Sequence, residues 1–278
     1  MSTWELTAIL VGGSAGAGFL GSLTGLGGGI VIIPLLTVGL GVDIRYAIGA
    51  SLVSVIATSS GAAAAYVREG FTNIRIGMFL EVATTLGALG GAVIALHVGP
   101  AVIAVIFGLV LLYSAYSTFR APPGDAPNVP PDALATRLRM NGTFPAAGGT
   151  RPYNVRNVPG GFGLMALAGV LSGLLGIGSG ALKVIAMDRI MKMPFKVSTT
   201  TSNFMIGVTA AASAGVYLNR GYIDPVLAVP VMVGVLVGSL LGARFLAGAR
   251  TRTLRIIFAV AVVGLGIEMI YKGFTGRM

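Results

Sequence analysis

The chain has 278 residues, 55% of them hydrophobic and 10% charged, with a mean hydropathy of +0.89 and a net charge of +10. One water-soluble core cannot hide so much apolar surface, which makes the bilayer the expected solvent and excludes an ordinary soluble domain. The absence of cysteine excludes disulfides, thiolate catalysis and cysteine metal sites, and a single histidine excludes a multi-histidine centre, so neither cofactor nor metal is expected.

In chain order, the first half offers apolar segments at Leu6–Leu23, Ile30–Leu40, Ile44–Val67, Ile76–Val98 and Val102–Phe119. The start, MSTWELTAILVGG, lacks a basic region and a small-residue cleavage site, so Leu6 onward reads as a membrane segment rather than a removable signal. Arg120–Pro159, rich in proline, glycine and arginine and without apolar period, reads as a solvent-exposed linker, a candidate for disorder. The second half offers Phe162–Leu175, Ala181–Ile190, Val197–Leu218, Val226–Leu246 and Ile256–Tyr271. Several of these reach the ~20 apolar residues that a spanning helix needs. The expected domains are a membrane repeat over 1–119, a cytoplasmic linker over 120–159 and a second membrane repeat over 160–278.

The two halves match without a gap at a step of 151 residues: Gly25 with Gly176, Gly27 with Gly178, Gly29 with Gly180, Ser51 with Ser202, Tyr66 with Tyr217 and Gly87 with Gly238. Duplicated membrane units with glycine-broken segments are what secondary transporters use to hold a substrate between two halves. Charge decides how the halves face. If each half crosses an odd number of times, one face gathers Arg68, Arg75, the linker arginines, Arg189, Lys192, Lys196 and the arginines from 244 to 255, while the other keeps only Arg45, Arg220, Lys272 and Arg277. An even number divides them almost equally, and only the odd number satisfies the positive-inside rule strongly. The expectation is an all-α polytopic membrane protein of two inverted repeats, each a hairpin of glycine-broken short helices followed by three transmembrane helices. Both termini would lie outside the cytoplasm and the linker inside. Basic residues placed this way are a topology signal and no sign of nucleic acid as a partner.

The glycine runs Gly25-Leu26-Gly27-Gly28-Gly29 and Gly176-Ile177-Gly178-Ser179-Gly180 would be the hairpin tips. Consecutive glycines leave backbone N–H groups uncovered, and the helix after each tip turns its positive end toward an oxyanion. Irregular backbone at that depth needs protein or a polar cavity around it, so the tips are expected to converge near the midplane. Glycine runs also serve close helix packing, and the duplication favours the substrate role.

Lys183 lies one turn past the second tip, where its ammonium could bind an anion, snorkel, or pair with an acid. Glu81 lies within an apolar helix opposite Met232 in the repeat; it is a candidate for carrying a coupling proton, against a plain structural group or an ion pair with Lys183. Hydroxyl stripes run along Ser51, Ser54 and Thr58 and along Ser198, Ser202, Thr209 and Ser213, most of them suited to helix packing, with Ser51, Ser202 and Asn203 chosen as cavity lining. His97 reads as a surface residue at a turn, and Trp4 and Tyr271 as interfacial anchors.

GSLTGLGGGIVIIPLL at Gly21–Leu36, its echo SGLLGIGSGALKV at Ser172–Val184, and the pair YVREGFTN and YLNRGYID resemble the TauE/SafE family of sulfite exporters, also grouped as sulfonate permease-like proteins. The resemblance covers both membrane halves and leaves out the linker. It implies a bacterial cytoplasmic-membrane location and movement of sulfite, organosulfonates or related sulfur or carboxylate anions, centred on the two glycine tips. The chain departs from its own symmetry at Ser179, opposite Gly28, and at Ile185, opposite Pro34.

The expected function is therefore secondary transport of a small anion, a sulfur oxyanion or organosulfonate first, by alternating access between the repeats. An anion-selective channel and a small-carboxylate transporter are the alternatives. An intramembrane enzyme finds no nucleophile with a base and no mirrored carboxylate pair. The expected partners are the anion and the lipid bilayer, with a homo-oligomer left open.

Overall fold

A computed structural model describes residues 3–24, 29–68, 70–119, 129–130, 132–146, 149–246 and 251–276. The first half forms helices α1 (Thr3–Thr24), α2 (Gly29–Pro34), α3 (Ile44–Arg68), α4 (Ile74–His97) and α5 (Pro100–Phe119). The connection carries α6 (Ala133–Arg137) and strands β1 (Gly142–Ala146) and β2 (Gly149–Tyr153). The second half forms α7 (Val158–Leu175), α8 (Gly180–Ile185), α9 (Phe195–Asn219), α10 (Pro225–Leu246) and α11 (Thr251–Thr275).

The 151-residue step governs backbone geometry as well as sequence. Both α2 and α8 run directly into one π-helical turn, at Leu35–Gly39 and Ala186–Ile190. Proline at 34 does not cause the widened turn, because Ile185, with its N–H intact, stands before the same turn in the second half. The single apolar segments expected at 30–40 and 181–190 are thus each a short α-helix continued by a π turn, a distortion often found at functional positions.

Every large helix pairing joins one half to the other: α1 packs on α10, α4 on α7, α3 on α9 and α5 on α11. Glycines set the approach of the first two pairs. A Cβ on Gly87 would strike the carbonyl oxygen of Ala166, and one on Gly238 would strike that of Ala15, the same contact 151 residues on. Gly169 against Thr84 and Gly18 against Val235 repeat the relation. In lipid, where apolar side chains gain nothing by avoiding water, such backbone-to-backbone approach is what holds helices together.

The ends of the bundle are also paired. Arg45 stands over the Tyr222 ring at 5.7 Å, and its repeat counterpart Lys196 stands over Phe71 at 5.5 Å. Arg45 also donates to the carbonyl oxygen of Val98 at 3.2 Å. The residues before α3, after α4 and after α9 therefore share one end, and those after α3 and before α9 share the other.

The connection departs from the expected exposed linker. Ala135, Met140, Tyr153 and Val155 are buried and pack with Ile76, Leu80, Met187, Met191 and Met193. Asn73, the N-cap of α4, donates to the Tyr153 hydroxyl at 2.7 Å and to Met140 O at 3.2 Å. The apolar residues here fall in a hairpin and one helical turn, too few for any period to show in sequence. Residues 120–128 lie outside the described ones.

The outer surface is apolar. On α4, Met78, Val82, Leu86 and Leu89 are exposed, and on α10 so are their counterparts Val229, Val233, Val237 and Leu240. Among the described residues, Ile74–His97 and Val158–Leu175 are by themselves long and apolar enough to cross a bilayer, while Ile44–Ser60, Pro100–Tyr116 and Pro225–Leu241 are shorter apolar runs. Trp4 and Tyr271 are exposed, and His97 ends α4 on the surface with Nδ1 at 2.9 Å from Val93 O.

Candidate functional site

The second tip is enclosed by protein. Residues 172–180 are all buried, and the chain leaves α7 through Gly176 at φ +67°, passes Gly178 at φ +69°, and enters α8 through Ser179 at φ +44°. Glycine tolerates this left-handed backbone, whereas Ser179 is strained by it and makes no side-chain capping bond. Ile48 and Val55 from α3 and Ile206 from α9 line the tip closely.

Gly29, the last residue of the first glycine run, lies against the second tip. A Cβ built on Gly29, where α2 begins, would lie 3.4 Å from Gly176 O and 2.7 Å from the Ser51 hydroxyl, which itself donates to Gly176 O at 2.8 Å. Ser51 in α3 thus fastens the broken backbone of the opposite half. Gly25, Gly27 and Gly28 lie outside the described residues.

Of the other expected lining residues, Ser202 donates to Gly180 O at 3.2 Å, and Asn203 next to it is buried. Ser54 donates to Ala50 O and Ser213 to Thr209 O, bonds within one helix that satisfy a hydroxyl locally. Ser179 Oγ, Ser172 Oγ and Ser198 Oγ are buried without a hydrogen-bond partner among the described residues.

Lys183 has no solvent exposure, and its Nζ donates to Thr209 Oγ1 at 2.5 Å. Thr209 in turn donates to Glu81 Oε1 at 2.6 Å, with Met205 O at 3.0 Å as a second acceptor for its one proton. Thr85 also donates to Glu81 Oε1, at 3.2 Å, while the buried Glu81 Oε2 has no partner among the described residues. The two charged residues thus communicate through a hydroxyl from a third helix.

Sequence reasoning missed Thr209 as the bridge and Tyr217 as a tip support. The buried Tyr217 hydroxyl donates to Gly173 O at 3.2 Å. A signal for the first was present: Glu81 and Lys183 both face apolar counterparts, Met232 and Ile32, so the two asymmetric charges belong together.

Comparison with known proteins follows the same lines. The profile described as sulfite exporter TauE/SafE matches residues 9–269. The chain is 28% identical to the probable membrane transporter protein YunE of Bacillus subtilis, over 92% of this chain and 94% of that one. It is 27% identical to the probable membrane transporter protein YdhB of the same organism, over 82% and 85%, and 26% identical to a probable membrane transporter protein of Xylella fastidiosa, over 98% of each. No solved structure matches. The chain, with its glycine-broken duplicated halves and apolar exterior, belongs to the TauE/SafE family of membrane transporters.

Proposed function

We propose that the protein is a secondary transporter of small anions, a sulfur oxyanion or organosulfonate of the sulfite type, binding its substrate where the two glycine tips meet. The observation that carries this reading is Lys183, wholly buried one turn beyond a tip whose own backbone is irregular and enclosed. Among the described residues the only acid linked to this ammonium, Glu81, reaches it through the Thr209 hydroxyl rather than directly, which leaves the charge a direct place for an anion. Gly25, Gly27, Gly28 and Gly29 with Gly176, Gly178, Ser179 and Gly180 supply backbone around the anion, and Ser51, Ser202 and Asn203 orient it.

The halves are inverted repeats in the bacterial cytoplasmic membrane, with the connection on the cytoplasmic side and both termini outside. The mirrored pairs Arg45–Tyr222 and Lys196–Phe71 support this arrangement, because each joins the start of α3 or α9 to the far loop of the other half. Relative movement of the halves opens the tips to one side and then the other.

Two experiments test the reading. Purified protein is screened by thermal shift against sulfite, thiosulfate, taurine, sulfoacetate and small carboxylates; a ligand of the native state raises the melting temperature, and Lys183→Ala abolishes that rise. Retained stabilisation in Lys183→Ala removes the lysine from the site. Counterflow in proteoliposomes then separates carrier from channel: labelled substrate accumulates transiently against an unlabelled load only in a carrier.

A further inference from the structure

The chain Lys183–Thr209–Glu81 joins α8, α9 and α4, and it occurs once. Its repeat counterpart would be Ile32, Thr58 and Met232, and there Thr58 merely donates within its own helix, to Ser54 O at 3.0 Å or Val55 O at 3.2 Å. The same packing is thus built on the other side without charge. Two ionisable groups and a connecting hydroxyl buried where the fold does not need them call for another reason.

We propose that Thr209 is a positioning residue that couples a proton on Glu81 to the anion-binding charge of Lys183, so that one proton and one anion bind together. This rests on the reading of Lys183 as an anion ligand. The hydroxyl has one proton and two acceptors in reach, Glu81 Oε1 at 2.6 Å and Met205 O at 3.0 Å. With Glu81 ionised, Thr209 donates to the carboxylate and accepts from Lys183, and the buried pair is neutral as it stands. A proton arriving at Oε2, unpartnered among the described residues, cancels the carboxylate charge, and the Thr209 proton turns to Met205 O. Lys183 then carries an uncompensated charge in a low-dielectric interior, and a monovalent anion restores neutrality.

No other titratable group faces Glu81 among the described residues. On α7, packed against α4, there is none. On α9, Lys196 is occupied by the Phe71 ring and Tyr217 by Gly173 O, both near the helix ends. On α4 itself, Arg75 donates to Arg139 O, and His97 is on the surface at the far end. Tyr153, from the connection, is engaged by Asn73.

The test uses purified full-length protein and isethionate, a sulfonate that stays anionic throughout, between about pH 4 and about pH 7, below the range in which a lysine loses its proton. Wild-type affinity is expected to fall by up to about tenfold per pH unit as the pH rises, since each bound anion requires one proton. Glu81→Gln is neutral at every pH and should bind as wild type does in acid, without the slope. Thr209→Val should lose the slope or displace its midpoint, and Thr209→Ser should restore it. A slope that survives in Glu81→Gln, or an unmoved slope and midpoint in Thr209→Val, overturns the proposal. If isethionate does not bind at any pH, the anion reading fails instead. The infrared C=O band of protonated Glu81, identified by its loss in Glu81→Gln, then decides the link: its midpoint must move in Thr209→Val, and a fixed midpoint overturns the coupling on its own.

Discussion

Gly29 lies so near Gly176 that a Cβ added to it would stand 3.4 Å from the Gly176 carbonyl oxygen and 2.7 Å from the Ser51 hydroxyl bonded to that oxygen. Gly29 and Gly176, one from each half, therefore share a single serine.

Gly29→Ala should displace the Ser51 hydroxyl and unfasten Gly176. The expected loss is about 1–3 kcal/mol, against about 1 kcal/mol for Ser51→Ala, and the double variant should lose less than the sum because both act on one bond. Melting in detergent measures all three. A Gly29→Ala protein as stable as wild type would show that the tips have room between them.

The glycine contacts predict paired effects at distant places. Gly87→Ala and Gly238→Ala each drive a methyl group into a backbone carbonyl, of Ala166 and of Ala15, and should cost about 1–3 kcal/mol alike. Gly90, three residues from Gly87, has nothing within 4 Å of its added Cβ. Gly90→Ala should be neutral or stabilising by up to about 1 kcal/mol through helix propensity. Equal melting of the Gly87 and Gly90 variants would refute the close approach.

The cysteine-free chain permits a direct test of orientation. Thr143→Cys on the exposed hairpin should react with an impermeant maleimide only after the cells are permeabilised, and Arg220→Cys beyond α9 should react in intact spheroplasts. Reaction of both from the same side would exclude inverted repeats.

Docking of the connection turns on Tyr153. Burial pushes its hydroxyl above the ordinary value, and the Asn73 hydrogen bond opposes this in part. The folded state thus holds the phenolic proton more tightly than the unfolded one, and the stabilisation, complete below about pH 10, is lost as the pH rises further. Tyr153→Phe leaves Asn73 without the hydroxyl partner and should cost about 1 kcal/mol, read as faster proteolysis between β2 and α7. Unchanged proteolysis would show the hairpin is held by its apolar contacts alone.

Much of the architecture is legible in residue order. Gly25 against Gly176 and Ser51 against Ser202 carry the duplication, and the boundaries of α3 and α9, at Ile44 and Phe195, keep the same step. Apolar period shows the long helices because each turns one face to lipid over many turns. It does not show α6 or the β1–β2 hairpin, whose few buried residues, such as Met140 and Val155, are apolar only in relation to Ile76 and Met191 on other helices.

The sequence by itself determined the membrane class, the two halves, the glycine breaks and the two charges without apolar precedent, Glu81 and Lys183, because these depend on composition and on local backbone freedom. Only the tertiary structure decided that Ser51 fastens the opposite tip and that Thr209, 128 residues from Glu81 and 26 from Lys183, joins them. A hydrogen bond between helices depends on which faces meet and at what height, and that is a property of packing between chain segments that no local pattern encodes.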